Sequence, residues 1–328
     1  MEIVLTSLAF IVAALCAGTM GFAIQRGATC TVAAVDEIVS ERSFRRLVAM
    51  LEAALWVGGG LLVAQALHIL PTMPSGYAVS AWTIVGGVLL GLGAFVNRAC
   101  VVGTIANFGS GSWAYIFTPI GFYAGCISVS AVFSPPAAQK LAYGSPVLRA
   151  SAWVAVLFLV FVLLRVGRPL VAGARKREVR ELLTRHVWTP HAATTVIGVT
   201  FLFMLLLVGS WAYTDVLVEL ARGMAGSVAA RSLLLLALLL GATLGGWTAG
   251  RFRNTRISGA QILRCFVGGV MMGWGSLLIP GSNDGLILIG MPLLWPYAWL
   301  AFATMCVTIA TAQLLRRTAA APAEKSAT

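Results

Sequence analysis

The chain has 328 residues, of which 59% are hydrophobic and only 10% charged, and its mean hydropathy is +0.91. No water-soluble globular surface can be built from that composition, so the chain reads as an integral membrane protein. Its formal net charge of +12 would suit nucleic acid in a soluble domain, but the basic residues fall between apolar runs, where retention of positive charge on the cytoplasmic side accounts for them.

A helix needs about 20 mostly apolar residues to cross a bilayer. That length predicts nine spans, at residues 3–24, 46–68, 79–98, 112–133, 148–166, 191–211, 229–249, 260–279 and 293–314. The first, MEIVLTSLAFIVAALCAGTMGFAI, lacks a basic leader and is too long for the core of a signal peptide, so it is expected to be a retained span. It runs into QRGATC, which carries Gln25, Arg26 and Cys30, and then into a short apolar-acidic piece. The third span ends in NRACVVGTIANFG, with Asn97 and Cys100. The eighth ends in IPGSNDGLILIG, with Ser282, Asn283 and Asp284. Each of these two polar breaks leads into a stretch too short to span, VVGTIANF or GLILIGM. Irregular backbone at membrane depth is tolerated only where protein or a water-filled cavity satisfies it, so re-entrant half-helices beside a solute pathway are expected.

The first loop carries Arg26, Arg42, Arg45 and Arg46, the seventh Arg251, Arg253 and Arg256, and the second and eighth carry no basic residue. Odd loops are therefore expected in the cytoplasm, with the N-terminus outside and the tail bearing Arg316, Arg317 and Lys325 inside. The fifth loop, RPLVAGARKREVRELLTRH, is the one long basic stretch. It reads more readily as a solvated connector beside anionic headgroups than as a docking surface.

GGVLLGLGAFVNRACVVG, from Gly86, aligns without a gap on GGVMMGWGSLLIPGSNDG, from Gly268, an offset of 182 that superposes five glycines and sets Cys100 opposite Ser282. A duplication is expected. Equivalent spans lie five apart, an odd number, so the second copy enters the membrane in the opposite direction, as in the inverted repeats of secondary transporters. With a two-residue gap, AIQRGATCTVAAVDE also aligns on GSWAYTDVLVELARG, which brings Cys30 near Thr214. The expected organisation is a first repeat at 1–135, a linking span and basic loop at 136–190, an inverted second repeat at 191–314 and a tail at 315–328. The fold class is all-α integral membrane.

Six cysteines without a CxxC pair or a Cys/His cluster predict neither a disulfide framework nor a metal site. Cys16, Cys126, Cys265 and Cys306 lie inside apolar runs and are expected to pack there, as are Gly87, Gly91, Gly269 and Gly273. Cys30 and Cys100 differ, because each stands at the mouth of an expected half-helix, where free N–H groups and the dipole favour an anion. A soft thiol there suits a polarisable sulfur-containing anion better than chloride or phosphate. Covalent capture by a thiolate and passage along S–H donors both remain open. Asp284 is expected to cap its half-helix or to relay protons. Asn97, Arg98, Asn107, Asn283 and Arg26 are expected to supply hydrogen bonds or charge, with Arg26 and Arg98 also placed to snorkel to the interface.

At GFAIQRGATC, the glycine-rich third span ending in Cys100, and the second copy through PGSNDG, the chain resembles the YeeE/YedE family of bacterial inner-membrane sulfur transporters. The resemblance covers most of residues 1–314. It implies nine spans with re-entrant helices, uptake of thiosulfate past cysteines that make transient S–H contacts, no enzymatic activity, no cofactor, and a cytoplasmic sulfurtransferase of the TusA or rhodanese type as partner. It places family cysteines at Cys30, Cys100 and position 282, where this chain has Ser282. The alternatives are a permease for a selenium compound or other small solute, a membrane thiol redox enzyme using Cys30 and Cys100, and a scaffold without a pore.

Overall fold

In lipid every backbone N–H and C=O must find a partner inside the protein, and a helix achieves this within one segment. The computed structural model, which describes residues 7–167, 187–223, 228–253, 255 and 257–325, is built from helices accordingly. In chain order they are α1 (Leu8–Gly27), α2 (Thr31–Glu41), α3 (Arg45–Ala66), α4 (Ala81–Asn97), α5 (Val101–Gly109), α6 (Phe117–Phe133) and α7 (Ala152–Val162). There follow α8 (Pro190–Val208), α9 (Tyr213–Ala221), α10 (Val228–Thr248), α11 (Gly259–Leu278), α12 (Asn283–Gly285, continued by a wider π turn over Leu286–Gly290) and α13 (Pro296–Lys325).

Among the described residues, eight helical stretches are long and apolar enough to cross a membrane, with α2 continuing α1 and α5 continuing α4. The fifth expected span, 148–166, holds α7, which has 11 α-helical residues among the described residues and runs on as a π turn over Leu163–Gly167. Phe158 and Phe161 dock it on Trp56 of α3, with ring centroids 5.9 and 5.5 Å away. The basic stretch at 168–186 lies outside the described residues.

Glycine decides how closely the central helices approach. A Cβ on Gly86 of α4 would stand 2.8 Å from the carbonyl oxygen of Gly275 on α11, and one on Gly275 would stand 2.6 Å from that of Gly86. Gly93 and Gly268 meet in the same reciprocal way, each at 2.7 Å. Lipid tails are as apolar as leucine, so such contact stabilises through dispersion between backbones rather than through expulsion of water. The remaining helices surround this crossing in matched pairs: α1 packs on α10 as α8 packs on α3, α6 packs on α11 as α13 packs on α4, and α2 meets α13 as α9 meets α6.

Helix boundaries repeat with the glycines. α8, α9 and α12 begin at Pro190, Tyr213 and Asn283, each 182 positions after Leu8, Thr31 and Val101, the starts of α1, α2 and α5. This corrects the alignment of the shorter stretches. No two-residue gap is needed, and the residue opposite Cys30 is Ala212, while Thr214 stands opposite Val32.

Candidate functional site

Four short helices, α2, α5, α9 and α12, start in the interior, and their first residues touch. Cys30 is the N-cap of α2, Cys100 of α5, Ala212 of α9 and Ser282 of α12. The first backbone N–H groups of a helix have no partner within it, so they turn to whatever acceptor the fold places there. Here that acceptor is sulfur. The N–H of Thr31 donates to Cys100 Sγ at 3.2 Å, that of Gly103 to the same sulfur at 3.4 Å, and that of Cys100 to Cys30 Sγ at 3.5 Å. Both cysteines remain free thiols. Gly103 has no side chain because Cys30 Sγ occupies the space a Cβ would take.

The other pair of helix starts carries oxygen instead. The hydroxyls of Ser282 and Thr214 lie against each other, and each can donate its single proton to Asp284 Oδ1, which stands 3.0 Å from Thr214 Oγ1. Two bonds tie the sulfur half to the oxygen half. Asn283 Nδ2 donates to Thr31 Oγ1 at 3.2 Å, and the Tyr213 hydroxyl donates to the Val101 carbonyl at 3.0 Å. These contacts are themselves related by the shift of 182, since Tyr213 lies that far from Thr31 and Asn283 that far from Val101.

Asn97 works behind this layer. Its amide donates to the Ala99 carbonyl at 2.8 Å and to Thr104 Oγ1 at 3.1 Å, and its Oδ1 accepts from Thr118 at 3.0 Å. With both donor and acceptor engaged at full burial, it fixes the turn at Arg98, whose φ of 61° is left-handed, and so sets where Cys100 stands. Gln25 and Arg26 are buried elsewhere. Gln25 Nε2 donates to Ser110 at 3.2 Å, Arg26 donates to Thr248 of α10 at 2.9 Å, and the Arg26 guanidinium lies 4.9 Å from the Phe22 ring centre. Neither is brought to the cysteine pair, and instead of snorkelling to the interface Arg26 clamps α1 to α10.

Two cavities lie toward opposite ends of α4, and the narrow region between them, where the four helix starts meet, is the neck. At its C-terminal end a cavity of about 350 Å³ is lined by Cys30, Arg46, Arg98, Asn107 and Arg316, with Asp36 at the side. At its N-terminal end one of about 810 Å³ is lined by Lys140, Asp215, Arg222, Ser276, Pro280 and Gly281. Thr31, Tyr213 and Thr214 were absent from the residues expected to form the pathway. The signal for all three was position: each lies one or two residues after the N-cap of its helix.

Among the described residues no group of three or more His, Cys, Asp or Glu side chains is arranged to hold a metal ion. Residues 26–311 match the family described as Sulphur transport. The chain is also similar to the thiosulfate transporter TsuA of Escherichia coli strain K12, at 24% identity over 92% of this chain and 93% of that protein. With the cysteine pair, the interior helix starts and most of the chain inside that match, the protein belongs to the Sulphur transport family.

Proposed function

We propose that the protein carries thiosulfate, or a closely related sulfur anion, across the bacterial inner membrane through the neck between the two cavities. The observation that carries this reading is the pair of sulfurs gathering three backbone N–H groups where α2 and α5 begin. Helix starts favour an anion, and thiol surroundings favour one with a polarisable sulfur end. An arriving anion accepts from the N–H groups that the sulfurs now engage and from the thiols' own S–H donors. No bond to sulfur has to form or break.

The architecture is read as two inverted copies, 1–135 and 191–314, joined by the 136–190 segment and followed by the 315–328 tail, with α2, α5, α9 and α12 re-entrant. The reciprocal glycine contacts and the constant offset of the helix starts support this. The cavity bearing Arg46, Arg98 and Arg316 is taken as cytoplasmic, because positive charge is retained on that side. It offers the incoming anion an attractive exit, from which a cytoplasmic sulfurtransferase of the TusA or rhodanese type would collect it. The closeness of Cys30 and Cys100 meets one condition of the thiol-enzyme alternative, but membership of a transport family does not favour it. Uptake of radiolabelled thiosulfate by cells expressing the protein tests the substrate. Uptake above control cells, suppressed by unlabelled thiosulfate and not by equal sulfate, is expected. Equal suppression by both would contradict the selection of a soft sulfur.

A further inference from the structure

Asp284 is a carboxylate buried in the neck, on the oxygen half that faces the cysteines. Thr214 and Ser282 both donate to its Oδ1, while its Oδ2 is buried and, among the described residues, accepts no hydrogen bond. The adjacent Asn283 Oδ1 is buried without a donor as well. Among the described residues these two acceptor oxygens thus lack a donor. A proton on Oδ2 fills that deficit, since a carboxylic acid donates where a carboxylate only accepts. Among the described residues no basic side chain is ion-paired with Asp284. The titratable groups around it are Tyr213 and Asp215 on α9, Cys100 before α5 and Cys30 before α2, with Tyr297 on α13 facing Asp215. Arg231 on α10 is taken up by Glu219 at 2.6 Å.

We propose that Asp284 is the proton-carrying group of a proton-coupled transport cycle; this rests on the reading of the chain as a sulfur-anion transporter. An anion at the cysteine pair and an ionised carboxylate across the same neck repel each other, so occupancy by the anion favours protonation of Asp284, and protonation favours the anion by an equal factor. The carboxylate takes a proton from the side of the larger cavity, where Asp215 lies on the wall, and returns it on the side of the arginine-lined cavity when the anion leaves. The proton is bound and released without redox chemistry. A divalent anion entering a negative-inside compartment moves two charges uphill, and accompanying protons offset them.

The test uses the full-length protein in liposomes with the membrane potential clamped at zero. Exchange of radiolabelled for trapped unlabelled thiosulfate, without any gradient, reads transport alone. Accumulation driven by an exterior one pH unit more acid reads coupling. The expected result is exchange together with accumulation of about tenfold for each proton carried, acidification of the lumen on adding thiosulfate, and loss of both proton-linked signals in Asp284→Asn protein that elutes as a folded species. Exchange without pH-driven accumulation in the wild type overturns the coupling and leaves the transport reading standing. Absence of exchange overturns both. Retained pH-driven accumulation in folded Asp284→Asn also overturns the assignment.

Discussion

Cys100 sits where its sulfur accepts from two backbone N–H groups, and its own backbone N–H donates to the Cys30 sulfur. Hydrogen bonds to a charged ligand are worth about 1.5–3 kcal/mol each, so loss of one thiol contact should slow uptake by roughly 10- to 100-fold. Gly103→Ala makes the same point without removing sulfur, because its Cβ must displace Cys30 Sγ. That variant should lower uptake while leaving both thiols present, as thiol quantification with uptake assays would check. Uptake unchanged in Gly103→Ala would mean that the sulfur spacing is irrelevant. Ser282→Cys tests the oxygen half: replacing the hydroxyl that binds Asp284 with a weaker donor should shift preference between thiosulfate and sulfate, measured by competition. At this scale the sequence was partly legible. Cys30, Cys100, Ser282, Asn283 and Asp284 were recognisable because polar residues interrupt apolar spans. Asn97 was expected on the pathway from its polarity, and its bonds brace a turn. The partners of Gln25 and Arg26, Ser110 and Thr248, come from helices far away in sequence, which no local pattern records.

Helix by helix, the spans followed from apolar length, and the short helices followed from the breaks that precede them. α5 begins and ends within a residue of the expected piece, since its boundaries are written locally by Cys100 and the glycine at 109. The register of α9 on α2 was not legible, because Ala212 and Cys30 share only a position as N-cap and no chemistry. The α4–α11 crossing makes a prediction of its own. Gly275→Val forces side-chain carbon into the Gly86 carbonyl, and overpacking of this kind costs about 1–3 kcal/mol. Its thermal transition in detergent should fall below that of the wild type, whereas the same change at Gly259, which has open space around it, should leave the transition nearly unmoved. Equal stability of the two variants would remove the claim that close approach at Gly86 and Gly275 holds the centre together.

For the whole molecule, the two cavities lie toward opposite ends of α4, and the proposed orientation puts them on opposite sides of the membrane. A thiol-reactive, membrane-impermeant reagent should modify Ala137→Cys from the outside of right-side-out vesicles and Asn107→Cys only in inside-out ones, read by peptide mass spectrometry. Modification of both from one side would refute the orientation. Across a potential of 100 mV, a divalent anion moved inward costs about 4.6 kcal/mol, twice the value for one charge. A neck made of thiols, hydroxyls and backbone N–H groups binds the anion but does not supply that energy, which is why the direction of net flux must come from a gradient.

The central claim is that a sulfur anion passes along the Cys30–Cys100 pair, and the initial rate of radiolabelled thiosulfate uptake into liposomes bearing equal amounts of wild-type or Cys100→Ala protein tests it most directly. The account predicts at least about a tenfold lower rate in the variant, with the same elution profile as the wild type. Equal rates in the two preparations would contradict it.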